Sequence, residues 1–207
     1  MIGRTIGPVY VVTDPEGPIP VIDQARAAAR GGAWAVQLRD KHASDAELHA
    51  LAVALLPEME AFGVRLIIND RLEVALSAGA HGLHIGQGDG DPRLVRQRLG
   101  PDPILGLSIE TVAQAGHVPA GVDYIGAGPV RATATKPDHA LPIGMGGLAQ
   151  IVAAVSVPTV AIGGLGLGDA AALQAAGAVG LAGVTAGTRA PDPQAATRAL
   201  FDEWSRA

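Results

Sequence analysis

The sequence predicts an α/β fold, a (β/α)₈ TIM barrel formed by a single compact domain over residues 1–207. Three observations carry this expectation. Eight short β-branched runs recur along the chain, stretches of helical character separate them, and 207 residues lie at the compact end of the length such a barrel needs. Strands that alternate with helices imply a parallel sheet joined by right-handed crossovers. Alternation alone also allows an open doubly wound sheet. No composition shift marks a linker or a second domain.

The elements follow in order. Val9 to Thr13 reads as the first strand, and the Ala-rich stretch Val21 to Ala29 as the first helix. Trp34 to Leu38 is the second strand. Ser44-Asp45-Ala46-Glu47 then opens an amphipathic helix to Ala61, with Ser44 and Glu47 spaced for a capping box. Arg65 to Ile68 and Gly82 to Ile85 are strands flanking a helix over Arg71 to Ala78. Pro92 lacks an N–H and suits the first turn of a helix reaching Leu99. Strands over Ile104 to Ser108, Asp123 to Gly126, Thr159 to Ile162 and Val179 to Val184 complete the count of eight. Helices over Gly147 to Val155, Asp169 to Ala176 and Asp192 to Trp204 fill the remaining intervals. Pro129 to Gly146 is the longest non-helical connection, and loops longer than about 12 residues in a compact domain are usually functional or disordered.

Composition excludes several function classes. The chain has no cysteine, which removes disulfide scaffolds, thiolate metal sites and cysteine nucleophiles. A net charge of −5 argues against nucleic-acid or anionic-membrane binding, and 48% hydrophobic residues with 17% charged ones exclude intrinsic disorder. Met1 to Arg4 lack the pattern of a signal peptide, so a cytoplasmic location is expected. Between Leu141 and Thr188 Asp169 is the only charge, but Pro158 and Gly163-Gly164 break the stretch into pieces too short to span a bilayer. Buried parallel strands beside Ala-rich helices account for that hydropathy.

Candidate chemistry gathers where the strands end. Along Gln37-Leu38-Arg39-Asp40-Lys41 alternation puts Gln37, Arg39 and Lys41 on one face, an amide and two cations in line for a polyanion. The third strand runs into Asn69-Asp70 and the fourth into Gly86-Gln87-Gly88-Asp89. Asp70 and Asp89 therefore come from neighbouring strand ends and could share one ion. Carboxylate oxygens suit Mg²⁺, whereas Asn69 or Asp70 acting as a helix cap is the alternative. The long loop carries Thr133-Ala134-Thr135-Lys136, two hydroxyls and a lysine fit to close over a phosphorylated ligand. Gly163-Gly164 after strand seven and Gly183-Val184-Thr185 at strand eight occupy the usual phosphate position of these barrels.

Scarcity points the same way. Lys41 and Lys136 are the only lysines and Asn69 the only asparagine, and all three fall just past strands, on the face where barrels do chemistry. Histidine is less informative. His84 lies inside strand four and reads as a packed, hydrogen-bonded residue, while His42, His49, His81, His117 and His139 show no ligand spacing. Ser108 ends strand five without the Gly-x-Ser-x-Gly turn of a serine hydrolase.

Taken in order, Gln37 to Lys41, Ile68-Asn69-Asp70-Arg71, His84 to Asp89, Gly128-Pro129 with Thr133 to Lys136, and Ala161-Ile162-Gly163-Gly164 resemble the successive motifs of the thiamine-phosphate synthase family. The resemblance runs from Tyr10 to about Pro193. It implies a transferase that joins hydroxymethylpyrimidine pyrophosphate to a thiazole phosphate, yielding thiamine monophosphate and pyrophosphate by a dissociative mechanism. It further implies that Gln37, Leu38, Arg39, Asp40, Lys41, Asn69, Ser108 and Lys136 hold the pyrimidine pyrophosphate, with Arg39, Lys41, Lys136 and Ser108 catalytic. Asp70 and Asp89 would ligate Mg²⁺, and Thr133, Ala134, Thr135, Gly164, Val184 and Thr185 would hold the thiazole phosphate. Its partners would be these small molecules, with no nucleic acid and no membrane; the sequence leaves open whether the chain forms a homo-oligomer.

The chain departs from the family pattern at Arg131-Ala132, where an aromatic followed by proline is usual. It departs again at Thr185, where serine is common, and at Gly183, where a bulkier apolar residue is usual. Two other readings compete. A thiazole tautomerase-like isomerase shares the fold but would carry a histidine two places after Ser108, where this chain has Glu110. A non-catalytic phosphate-binding barrel would keep the glycines without needing two lysines, Arg39 and paired carboxylates.

Overall fold

The computed structural model describes residues 5–133, 140–183 and 185–207, without the side chains of 185 and 186. Eight parallel strands close into one barrel in sequence order: β1 (Val9–Val12), β2 (Ala35–Leu38), β3 (Arg65–Asn69), β4 (Gly82–Ile85), β5 (Ile104–Ile109), β6 (Tyr124–Ala127), β7 (Thr159–Ile162) and β8 (Gly180–Gly183). Val9 to Val11 pair with Leu181 to Gly183 and shut the cylinder. The expected barrel is therefore the observed one, and the open sheet is not.

The helices fall in the intervals between strands. They are α1 (Val21–Gly31), α2 (Asp45–Phe62), α3 (Leu72–Ala78), α4 (Pro92–Leu99), α5 (Val112–Ala115), α6 (Gly144–Ala154), α7 (Ala170–Ala175), α8 (Thr185–Thr188) and α9 (Pro193–Trp204). Local sequence explains their starts. Ser44 Oγ accepts from Glu47 N at 3.3 Å while Ser44 N donates to the Glu47 carboxylate at 2.8 Å, the expected capping box. Pro92 takes the first turn of α4 behind an Asp91 cap. The short helices α5 and α8 were not expected, because one turn is too brief to show a 3.6-residue period.

Strand alternation divides the core in two. Outward residues such as Val36, Leu38, Leu66, Ile68, Leu83 and Leu105 pack against the helices. Inward residues Tyr10, Trp34, Ile67, Ile104, Tyr124 and Val160 fill the barrel floor, where the rings of Tyr10, Trp34 and Tyr124 meet edge to face at 5.5 to 6.0 Å. The inward position on β5 between them is Gly106, whose Cβ would stand 2.2 Å from Tyr124 Cζ and 2.4 Å from His84 Nδ1. Filling the floor with rings leaves the carboxyl ends of the strands free to form a cavity.

Candidate active site

A cavity of about 480 Å³ opens at the carboxyl ends of the strands. Each strand contributes through its last inward residue and the loop that follows. From β2 come Gln37, Arg39 and Lys41, the three residues that alternation places on one face. Arg39 is held by its backbone. Its N–H donates to Thr13 Oγ1 at 2.9 Å, and that hydroxyl donates back to the Arg39 carbonyl at 3.3 Å. The side chains of Leu38 and Asp40 are not brought to the cavity. Leu38 is fully buried in the outer core, and the Asp40 carboxylate accepts from His42 N at 2.8 Å and Ala43 N at 3.0 Å, turning the chain toward α2.

From β3 and β4 come Asn69, Asp70 and Asp89. Asp70 sits at φ 50°, among the described residues the one non-glycine in the left-handed region. Burial and then the nearby Asp89 charge raise its pKa above the ordinary carboxylate value, against the weaker opposing pull of Arg71 and Arg39. Asp70 does not cap α3, whose N-cap is Arg71 with no side-chain cap bond. Asp89 accepts from Gly86 N at 2.6 Å, which bends the β4 loop back over the strand end.

Beneath these charges a buried hydrogen-bond chain crosses the barrel. Gln37 Nε2 donates to Tyr10 Oη at 2.8 Å, Tyr124 Oη donates to Tyr10 Oη at 2.9 Å, and His84 bridges Tyr124 Oη and Ser108 Oγ at 2.9 Å each. Burial lowers the His84 pKa to about 4 and pushes both tyrosines up, so all three rings are uncharged near neutrality. A neutral imidazole has one donor and one acceptor. His84 therefore donates to one of Tyr124 and Ser108 and accepts from the other, and Gln87 Nε2 fixes the Ser108 carbonyl at 2.7 Å.

His84 is packed and hydrogen-bonded, as its place inside strand four predicts, and it also lines the cavity. Tyr10 lines it too, although no motif in the sequence marks it. The signal was present in composition, since Tyr10 and Tyr124 are the only tyrosines in the chain, as scarce as the lysines. Glu110 lines the mouth as well.

The far side of the cavity is built from glycine-bearing loops. Gly128, Thr133, Gly163, Gly164 and Gly183 line it. Gly163 and Gly164 have φ of 97° and 66°, and a Cβ on Gly164 would lie 2.7 Å from Arg131 Cβ, so only glycine allows the two loops to touch. Ala134, Thr135, Lys136 and Val184 lie outside the described residues, as does the side chain of Thr185. One wall thus carries cations and paired carboxylates, and the other exposes backbone and hydroxyl groups, a layout fit for two phosphorylated ligands.

The chain matches the family described as thiamine monophosphate synthase (TMP-TENI) over residues 9–186. A thiamine-phosphate synthase of Roseiflexus sp. (strain RS-1) is 47% identical over 197 residues, covering 94% of this chain and 84% of the relative. That of Laribacter hongkongensis (strain HLHK9) is 42% identical over 196 residues, covering 93% of both. Among solved structures, thiamine phosphate pyrophosphorylase from Pyrococcus furiosus superposes with a TM-score of 0.87 at 31% identity, covering 96% of each chain. A 3-hexulose-6-phosphate synthase superposes with a TM-score of 0.70 at 18% identity, a likeness of fold alone.

Proposed function

This chain belongs to the thiamine-phosphate synthase family, a transferase of thiamine biosynthesis, and from that premise we propose how its cavity performs the coupling. The reaction joins hydroxymethylpyrimidine pyrophosphate to a thiazole phosphate and releases pyrophosphate. The bond from the pyrimidine methylene carbon to the diphosphate oxygen breaks first, and both electrons leave with the diphosphate. The electron-rich aminopyrimidine stabilises the resulting cation, so no strong base is needed. The thiazole nitrogen then donates its lone pair to the methylene carbon.

The diphosphate end of the pyrimidine substrate lies along Arg39 and Lys41, and Lys136, outside the described residues, supplies a third positive charge. Arg39 and Lys41 are worth most in a cavity that excludes water, because they already line the wall where negative charge develops. Gln37, Asn69 and Ser108 hold the ring end. Leu38 and Asp40 act through the backbone they set rather than by side-chain contact. Thr133, Gly164 and the segment Val184-Thr185, with Ala134 and Thr135, hold the thiazole phosphate and keep its nitrogen in reach of the cation, an effect of positioning.

Mg²⁺ fits the residues present. Asp70 and Asp89 supply oxygen donors alone, and Asp70 carries a burial and repulsion penalty that a cation would relieve. Two carboxylates would leave the ion's other positions to substrate phosphate and water. Bound there, Mg²⁺ would neutralise charge on the leaving diphosphate. A cytoplasmic location and self-association belong to the same reading.

The observation that carries the proposal is the convergence of Arg39, Lys41, Asp70 and Asp89 on one cavity wall. The test mixes purified protein, Mg²⁺ and both substrates, and follows release of pyrophosphate together with thiamine monophosphate. Formation of both in equal amounts is expected. Absence of product with either the plain or the carboxylated thiazole phosphate would overturn the reading.

A further inference from the structure

We propose that Arg131 and Asp169 form a clasp that sets the spacing of the two loops at the thiazole-phosphate end of the cavity, making Arg131 a positioning residue for that substrate. This inference rests on the functional reading above. Its starting point is a two-pronged ion pair that joins the loops following β6 and β7.

The guanidinium of Arg131 meets the Asp169 carboxylate with two nitrogens, Nη1 to Oδ2 at 2.8 Å and Nη2 to Oδ1 at 2.7 Å. Nη1 also donates to the Gly164 carbonyl at 3.2 Å. The backbone supports the same junction. Val130 N donates to Ile162 O at 2.8 Å and Arg131 N to Gly163 O at 2.9 Å, extending the β6–β7 ladder past the ends of both strands. Arg131 thus ties the stem of the loop bearing Thr133 to the loop bearing Gly163 and Gly164, and those three residues all line the cavity.

The partner is itself immobilised. Asp169 accepts from Gly166 N at 2.9 Å, and its side chain is only 12% exposed against 50% for Arg131. Glu203 on α9 braces the outer side of the same loop, accepting from Gly168 N at 3.0 and 2.9 Å and from Ala170 N at 3.0 Å. The Arg131 guanidinium holds the Asp169 carboxyl below its ordinary pKa, so the pair stays charged near neutrality. A two-pronged arginine–carboxylate pair fixes orientation as well as distance, which a lysine cannot do.

Releasing the clasp leaves the two loops to be ordered by the substrate itself. That loss falls on binding rather than on bond breaking. It falls chiefly on the thiazole phosphate, because Gln37, Arg39, Lys41, Asn69 and Ser108 hold the pyrimidine pyrophosphate from β2, β3 and β5, and of its proposed partners Lys136 alone belongs to the clasped loop.

The test is steady-state kinetics, each substrate varied in turn, for Arg131→Ala, Arg131→Lys, Asp169→Ala and the double variant Arg131→Ala with Asp169→Ala. Both single alanine variants are expected to raise KM for the thiazole phosphate about 10-fold, with KM for the pyrimidine pyrophosphate within about twofold. Arg131→Lys should fall between. The double variant should be no worse than either single, and Arg131→Asp combined with Asp169→Arg should recover part of the loss. An unchanged thiazole KM, an equal rise in both KM values, or multiplied effects in the double variant would overturn the clasp. Hydrogen exchange gives a readout free of activity. Segments 128–133 and 162–169 should exchange faster together in Arg131→Ala, and unchanged exchange would sink the clasp. Should the wild type form no product, the functional reading fails alone, and exchange still decides the clasp.

Discussion

At Asp70 three unfavourable features coincide: a left-handed backbone, partial burial and a second carboxylate in Asp89. A residue held in this way marks a site that works against local stability. Asp70→Asn keeps a side chain that tolerates the backbone and removes the charge. The variant is expected to melt no earlier than wild type without metal, while its Mg²⁺ activation curve moves at least about 10-fold to higher concentration. Early melting with a normal Mg²⁺ response would instead make Asp70 a structural residue. Lys136 belongs to the same ledger of charge, and Lys136→Ala should lower kcat by about 100-fold or more, as loss of a preorganised electrostatic partner does. Unchanged turnover would reduce Lys136 to an incidental loop charge. At this scale the sequence was most legible where period-two alternation applies. Gln37, Arg39 and Lys41 reach the cavity because they share a face, and Leu38 and Asp40 do not because they occupy the other.

Among the elements, β5 shows how a strand can carry a site without charged residues. Its inward positions, Ile104, Gly106 and Ser108, run from barrel floor to cavity, and Gly106 makes room for Tyr124 and His84. Gly106→Ala drives a methyl into both rings. Overpacking of this kind is expected to destabilise the protein by about 1–3 kcal/mol in urea unfolding, and turnover should fall as the His84–Ser108 bond is displaced. Wild-type stability in that variant would mean that the floor is loosely packed. Elements were legible in proportion to length. The capped α2 and the strands were expected nearly to the residue, whereas α5 and α8 are single turns whose existence depends on the barrel bringing their ends together.

The molecule as a whole is joined across its axis by the chain Gln37–Tyr10–Tyr124–His84–Ser108, and this gives its stability a pH dependence. His84 has a folded pKa of about 4 against 6.5 when unfolded, so the unfolded chain binds more protons between those values. The stabilisation is therefore complete above pH 6.5 and is lost progressively as pH falls toward 4. His81, also lowered by burial, acts in the same direction. Urea unfolding at pH 7 and pH 5 should differ by about 2 kcal/mol from His84 alone, and His84→Asn should flatten the profile. A wild-type profile already flat over that range would show that His84 titrates as an exposed histidine does. The eight strands, the longer helices between them and the shared face of Gln37, Arg39 and Lys41 were legible in the sequence alone, because strand alternation, helix caps and scarce residue types act over a few neighbouring positions. Closure of the sheet, by contrast, was decided by the pairing of β1 with β8. Which tyrosine meets which histidine, how Asp70 and Asp89 come to repel one another, and why Arg131 faces Asp169 were decided only by the closed tertiary structure. Those contacts join residues up to 40 positions apart, and nothing in a local pattern encodes such a meeting.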